Sequence, residues 1–300
     1  MAPPVFHARW RRRKHALVGH SGLRYTADVS LAGLRAAFVL AAGGLAFSLM
    51  PRFADRLVYF PSRAHDGGTP ALLGLDYEDV ALRAADGVRL HAWFVRVAGA
   101  RRTLLFLHGN AGNISHRLDK LAVLADLGVD VLLLDYRGYG LSDGTPDEPG
   151  TYRDADAAYA WLLGRRVPPA DLIVYGESLG GPIAVDLAAR HAVGGVVLES
   201  APSSIIGVAR HHYPFLPVRL FLSVRYDALA RIGRVHAPLL ILHSVDDEIV
   251  PFAMAEEIYA AASAPKRLVR LRGAHNDCFV VSADVYQGAL RDFLARPAGG

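Results

Sequence analysis

A serine flanked by glycines is the residue best suited to covalent chemistry. Ser178 lies in the segment 176–180, which fits the pattern G-x-S-x-G of a nucleophile elbow. The apolar run 172–175 before it predicts a strand, and the residues after it have helical spacing. Such a turn presents a hydroxyl at a helix N-terminus, where developing negative charge is favoured. We predict that Ser178 is a nucleophile; a plain glycine-rich turn is the alternative.

A serine hydroxyl is a weak nucleophile at neutral pH, so it needs a histidine base and an acid that orients the base. Where this elbow occurs, the acid and then the histidine follow the serine in the chain. His275 lies in a short loop between a late strand and the last helix, from which a side chain can reach the strand ends. His243 ends a predicted strand, and His211 and His212 lie in a predicted lid. His275 is therefore the predicted base.

The orienting acid has three candidates. Asp246 and Asp247 both follow the predicted strand 239–243, and their positions alone do not separate them. Asp277 lies close to His275 in the chain and is the weaker candidate, because a role in fixing its own loop explains it equally well.

Two N–H donors are needed to stabilise the tetrahedral intermediate of acyl transfer. One is the backbone N–H of Leu179, the residue after the nucleophile. The other should come from the glycine-rich loop 108–113, and we predict the backbone N–H of Asn110. This loop lacks both the Lys-Ser/Thr ending and the G-x-G-x-x-G spacing of nucleotide-binding loops. No cofactor is expected, and no metal either, because the pair His211–His212 has no partner at metal-ligand spacing.

Apolar runs alternate with helical segments between residues 76 and 297, as is typical of an α/β domain. The predicted strands cover residues 76–84, 88–97, 103–108, 129–136, 172–175, 195–199, 239–243 and 268–271. The predicted helices cover residues 117–127, 152–163, 179–191 and 282–294. The first two strands meet at Asp86–Gly87, a hairpin signal. The later strands are apolar on both faces, which indicates a parallel sheet covered by helices on both sides.

Positive charge is concentrated before this domain. The net charge of +4 combines +6 from residues 1–50 with −2 from the remainder. A domain with so little net charge is not expected to bind nucleic acid. Residues 1–28 form a basic leader, and residues 51–75 are predicted to be a linker.

Residues 29–50 are predicted to form a membrane-anchor helix. Arg35 is the only charged residue in this stretch. About 20 apolar residues cross a bilayer as a helix, and an arginine near one end can extend to the headgroups. The basic leader predicts a cytoplasmic N-terminus and a catalytic domain on the outer or periplasmic side. Arginines after the stretch leave the opposite, cytoplasmic arrangement open, and a helix packed on the domain is the non-membrane alternative.

Taken together, six segments resemble one family. They are 57–61 (LVYFP), 107–113 (LHGNAGN), 135–140 (DYRGYG), 176–181 (GESLGG), 247–251 (DEIVP) and 273–277 (GAHND). The chain is similar, over roughly residues 55–295, to the membrane-anchored α/β-hydrolases. These are related to the serine-aminopeptidase-like hydrolases and to the eukaryotic α/β-hydrolase-domain depalmitoylases.

The resemblance implies an α/β-hydrolase fold whose acid, in D-x-x-V-P, is Asp247, and whose base, in G-x-H-N, is His275. It also implies a short lid at about residues 203–229. The lid segment 211–217 is compact and rich in aromatic residues and proline, so we predict an open, apolar acyl pocket.

These features predict a serine hydrolase that cleaves carboxylic esters or thioesters of a small or lipid-like acyl substrate. A serine peptidase or amidase is the alternative enzyme, because the same triad cleaves amides. A membrane-tethered binding protein without turnover is the alternative outside catalysis, since a fold alone does not guarantee function.

Overall fold

The structure covers nearly all of the predicted catalytic domain. It is a computed structural model that describes residues 55–263 and 265–296. The predicted leader and anchor helix, residues 1–50, lie outside the described residues. Among the helices of the described ranges, none is both long and apolar enough to cross a membrane.

An eight-stranded sheet forms the centre of the domain. Its strands, in chain order, are β2 (Tyr77–Arg83), β3 (Arg89–Val95), β4 (Thr103–Leu107), β6 (Asp130–Asp135), β7 (Leu172–Glu177), β8 (Gly195–Glu199), β9 (Leu239–Ser244) and β10 (Lys266–Leu271). Across the sheet they lie in the order β10-β9-β8-β7-β4-β6-β3-β2. β3 pairs antiparallel with both β2 and β6, and all other neighbours are parallel. The hairpin thus closes one edge of a parallel sheet.

Helices cover both faces of this sheet. They are α1 (Leu118–Asp126), α2 (Glu148–Gly164), α3 (Gly180–Arg190), α4 (Ile205–His212), α5 (Leu229–Ile232), α6 (Phe252–Ala261), α7 (Cys278–Val281) and α8 (Ala283–Leu294). Side chains of α2, α3, α5 and α6 pack into one apolar layer, and those of α1 and α8 pack into the other. The central strands are buried on both faces because side chains alternate: Leu105 and Leu107 face the first layer, whereas Leu104 and Phe106 face the second.

The described part of the predicted linker is held against the domain. Strand β1 (Phe60–Pro61) pairs in parallel with β5 (Ala111–Gly112), in the glycine-rich loop after β4. The side-chain amide of Asn113 donates to the carbonyls of Ser62 and Ala64, at 3.1 and 2.6 Å. This segment therefore helps to fix the loop that was predicted to supply an N–H donor.

Candidate active site

The turn between β7 and α3 holds Ser178 in a strained conformation. Its φ is +49°, in the left-handed region that non-glycine residues rarely adopt. Its backbone N–H donates to the carbonyl of Glu199 on the neighbouring strand β8, at 2.8 Å. Strain of this kind persists only where the surrounding structure imposes it, and it is concentrated at functional sites.

Three glycines allow this turn to form. A Cβ atom at Gly176 would collide with the Gly180 carbonyl, and one at Gly180 would collide with the Leu107 carbonyl. At Gly181, an added Cβ would collide with the methyl group of Ala201. The sharp strand–helix crossing thus depends on the absence of side chains on both sides of the serine.

One line of hydrogen bonds connects Ser178, His275 and Asp247. His275 Nε2 lies 3.0 Å from Ser178 Oγ, and His275 Nδ1 lies 2.8 Å from Asp247 Oδ2. The three residues come from separate loops that follow β7, β9 and β10. Since the carboxyl ends of parallel strands meet at one edge of a sheet, side chains far apart in sequence come together there.

The Asp247 side chain is fully buried. Its Oδ1 accepts hydrogen bonds from the backbone N–H groups of Ile249 and Val250, at 2.9 and 2.7 Å. Burial alone would raise the pKa of this carboxyl, but the hydrogen bond and charge of His275 outweigh it and the pKa is lowered. Asp247 therefore faces the histidine as a carboxylate.

The competing acids lie elsewhere. Asp246 is exposed and pairs with Arg272 at 3.0 Å, and Asp277 is exposed at the start of α7. His243 is buried, and its Nε2 lies 2.8 Å from the Val250 carbonyl and 3.4 Å from Asp247 Oδ2. Burial lowers the pKa of His243, which favours the neutral form of this second imidazole beside the acid.

Two backbone N–H groups near Ser178 are candidates to stabilise an oxyanion. Within residues 55–263 and 265–296, no hydrogen-bond acceptor is found for the N–H of Asn110 or of Leu179. The Asn110 carbonyl accepts from Phe60 N–H and from the Tyr139 hydroxyl, at 3.1 and 2.8 Å. The Asn110 side-chain amide donates to the Val58 carbonyl at 3.0 Å. These bonds hold the side chain of Asn110 and the peptide that follows it in place. The N–H of Asn110, which belongs to the Gly109–Asn110 peptide, is the group that could donate to an oxyanion.

Glu177 is the residue before the serine in the elbow. Its carboxylate accepts from Gly109 N–H at 3.2 Å, so it ties the elbow to the loop that carries Asn110. It also pairs with Arg117 and Lys120, each at 2.9 Å. Burial alone would raise the pKa of Glu177, but the two cations outweigh it and lower the pKa.

Lys120 joins two buried carboxylates. Its Nζ lies 2.9 Å from Glu177 and 2.5 Å from Glu199, and the side chain is 4% exposed. Glu199 also accepts hydrogen bonds from the hydroxyls of Tyr175 and Tyr286. Sequence patterns did not suggest this network, because its members are distant in the chain and Lys120 lies in an ordinary amphipathic helix.

Replacing Lys120 by methionine is expected to lower the free energy of unfolding by about 3–5 kcal/mol, because Glu199 then loses its cation in a buried site. Chemical denaturation of the full-length protein measures the loss. The double variant Lys120→Met/Glu199→Gln should recover part of it, since it also removes one uncompensated carboxylate. A Lys120→Met variant as stable as wild type would show that the network contributes nothing to folding.

A cavity of about 340 Å³ opens beside Ser178. Its apolar wall includes side chains from Phe60 and Ile249, from Pro202 just before the predicted lid, and from Ile205 and Val208 at the start of that segment. Arg117 and Asn276 supply polar groups at the same cavity. Beyond α4, the predicted lid segment exposes Phe215 almost completely. The cavity thus offers an apolar wall, next to the reactive hydroxyl, on which a hydrocarbon chain can lie.

Known proteins share both sequence and fold with this chain. A family profile described as "alpha/beta hydrolase fold" matches residues 102–231. An uncharacterized protein of Mycobacterium tuberculosis, Rv2307c, is 40% identical over 247 residues, which cover 81% of this chain and 88% of the relative. The α/β-hydrolase domain-containing protein WAV2 of Arabidopsis thaliana is 33% identical over 279 residues, covering 84% of this chain and 90% of WAV2.

Among solved structures, the Pyrococcus furiosus esterase Pf2001 has the same fold. It superposes with a TM-score of 0.68 at 22% sequence identity, covering 81% of this chain and 98% of the esterase. The expected α/β-hydrolase fold, with a mostly parallel sheet between helices, is confirmed. From the relatives that align along most of their length, it follows that the chain belongs to the α/β-hydrolase family.

Proposed function

We propose that this protein is a serine hydrolase that cleaves carboxylic esters or thioesters of acyl chains through an acyl-enzyme formed on Ser178. The observation that carries the proposal is the hydrogen-bond line from Ser178 Oγ through His275 to Asp247, next to an apolar cavity. Asp247 accepts from His275 Nδ1–H, which leaves the Nε2 lone pair free to accept the serine proton.

In the acylation step, Ser178 Oγ attacks the acyl carbonyl carbon while His275 Nε2 takes the hydroxyl proton. The carbonyl oxygen becomes an oxyanion that accepts hydrogen bonds from the N–H groups of Asn110 and Leu179. The tetrahedral intermediate then collapses, the bond to the alcohol or thiol breaks, and His275 returns the proton to the leaving group. The acyl chain stays on Ser178 as an ester.

Deacylation repeats these steps with water as the nucleophile. His275 accepts a proton from water, the hydroxide adds to the acyl carbon, and the same two N–H groups stabilise the second oxyanion. Collapse releases the carboxylic acid and returns the proton to Ser178. Apart from the substrate, the proposed cycle uses only residues of this chain and water.

The cavity wall supports the proposed substrate class. An acyl chain beside Phe60, Ile205 and Val208 removes its methylene groups from water, each contributing about 0.8 kcal/mol when fully buried. Because the six sequence segments resemble the depalmitoylases, long-chain S-acyl thioesters are part of this proposal.

Labelling with a fluorophosphonate probe tests the nucleophile. The wild-type protein should be labelled, and Ser178→Ala should not. Ser263→Ala is the matched control, because this serine lies at the surface, where it donates to the Gly233 carbonyl. Equal labelling of wild type and Ser178→Ala would overturn the assignment of the nucleophile.

Turnover of p-nitrophenyl esters, acyl thioesters and peptide amides of matched acyl length then tests the substrate class. We expect esters and thioesters to be cleaved faster than amides. Preferential cleavage of amides would favour a peptidase instead, and labelling without turnover of any member would contradict the proposed substrates.

We further propose that residues 29–50 anchor the enzyme in a membrane, with the catalytic domain on the outer or periplasmic side. The support is the length of the apolar stretch and the basic leader before it. The same probe, applied to separated membrane and soluble fractions, measures where the labelled protein resides. A labelled protein found only in the soluble fraction would contradict the anchor.

A further inference from the structure

Two histidines and one aspartate lie close together where the segment around His65 meets β3 and β6. Asp135 is the last residue of β6 and is fully buried. Its Oδ2 lies 3.3 Å from His65 Nε2 and 3.8 Å from His91 Nδ1. These three ligand atoms all lie within 4.8 Å of one another. The residues are far apart in the chain, and none of them takes part in the proposed triad.

The orientation of His91 is fixed from its other side. His91 Nε2 lies 2.7 Å from Asp79 Oδ1, which also accepts from Trp93 Nε1 at 3.0 Å. Since the Asp79 carboxylate can only accept, His91 Nε2 must donate, and in the neutral ring Nδ1 then carries a lone pair. That Nδ1 atom is buried without a hydrogen-bond partner. A histidine held by a carboxylate at one nitrogen and open at the other is the arrangement of a metal ligand.

The two oxygens of Asp135 have different surroundings. Oδ1 accepts from the backbone N–H of Ile114 at 3.0 Å, and His108 Nε2 lies 3.5 Å from it. Oδ2 faces the two imidazoles. Gly140 leaves this side open, because a Cβ atom there would collide with Asp135 Oδ2 and lie 2.6 Å from His65 Nε2.

We propose that His65, His91 and Asp135 bind a divalent transition-metal ion, with Zn²⁺ as the ion of best fit. Metal–ligand bonds of about 2.0–2.1 Å in a tetrahedron set neighbouring ligand atoms roughly 3.3–3.4 Å apart. The His65–Asp135 distance of 3.3 Å already matches this value, and the His91–Asp135 distance of 3.8 Å exceeds it by about half an ångström. The two imidazole nitrogens lie within 4.8 Å of each other, so a bound ion would draw them closer together. Two imidazoles with one carboxylate form a common zinc ligand set, and water completes the fourth position.

This proposal revises the expectation from the sequence that the protein has no metal site. That expectation considered His211 and His212, whereas the ligands here come from three separate segments. The metal would clamp the segment around His65 to the ends of β3 and β6. The same segment carries Phe60, which lines the cavity and hydrogen-bonds to the loop of Asn110. We therefore assign the ion a structural role in holding that loop.

Metal content and binding of the full-length protein test the site. After removal of metal and titration with Zn²⁺, wild type should bind about one equivalent, and its melting temperature should rise. His65→Ala and His91→Ala should each weaken binding by at least about 100-fold, and Asp79→Asn, which removes only the carboxylate behind His91, by about 10–100-fold. His236→Ala, which removes an exposed histidine, is the matched control and should bind like wild type.

Substitution with Co²⁺ gives a second readout, because a four-coordinate site yields intense visible absorption bands. These bands should appear in wild type and His236→Ala and be absent from His91→Ala, with circular dichroism showing that each variant is folded. Loss of binding in His65→Ala and His91→Ala, with weaker binding in Asp79→Asn and unchanged binding in His236→Ala, would support the site. Equal Zn²⁺ binding by all variants, or none by wild type, would overturn it and leave His65, His91 and Asp135 as an ion-paired cluster.

Discussion

Replacing His275 by alanine is expected to lower kcat by at least about 10³-fold and by as much as about 10⁶-fold. The imidazole is the group within hydrogen-bond reach of the Ser178 hydroxyl, 3.0 Å from Oγ. Without it, the serine proton has no acceptor during attack and the leaving group has no proton donor during collapse. What activity remains should come from the N–H groups of Asn110 and Leu179 and from binding in the cavity.

Steady-state hydrolysis of a short p-nitrophenyl ester measures this loss as a change in kcat. His243→Gln is an unsuitable control, because His243 contacts Asp247, whereas His236→Ala removes an exposed imidazole and should leave kcat unchanged. Near-normal turnover by a folded His275→Ala variant would remove His275 from the mechanism.

The continuous apolar runs of the sequence predicted the fold, because they mark strands that are buried on both faces of the sheet. β4 and β8 are buried along their whole length, and continuous apolar runs of that kind are typical of a sheet covered on both faces. The hairpin of β2 and β3 was also found at the predicted Asp86–Gly87 turn. The prediction of a mostly parallel sheet with an antiparallel edge is therefore confirmed.

Elements with weaker patterns were missed. α6 was not predicted, although Met254, Ala255 and Ile258 are buried at helical spacing along one side. The two-residue pairing of β1 with β5 is too short to leave any periodic signal. Its partners are some fifty residues apart, so only the folded chain brings them together.

The residues of the predicted triad could be chosen from sequence motifs, whereas the charged network around Lys120 could not. Short segments with fixed chemistry surround Ser178, Asp247 and His275, and the structure brings these three side chains into one hydrogen-bond line. Lys120 and Glu199 belong to no such segment. Their proximity arises from the packing of α1 against the sheet, which no local pattern encodes.

The exchange of Asp247 for asparagine is expected to lower kcat by about 10⁴-fold at neutral pH, with little change in KM. The reason lies in the partners of the two carboxylate oxygens. Oδ1 accepts two backbone N–H groups, from Ile249 and Val250, so the carbonyl oxygen of asparagine should remain there. The amide NH₂ then takes the position of Oδ2 and donates to His275 Nδ1. His275 must carry its proton on Nε2, where it can no longer accept the proton of Ser178.

Asp246→Asn provides the matched control, because it makes the same change in the neighbouring residue. Asp246 is half exposed and pairs with Arg272 at the surface, so its loss should leave kcat within about twofold of wild type. Kinetics of both variants on one ester substrate decide between the acids. A large loss in Asp246→Asn with little loss in Asp247→Asn would reverse the assignment. The expected pattern would show that the orienting role belongs to the buried carboxylate, whose hydrogen bonds to Ile249 and Val250 determine the position of the histidine proton.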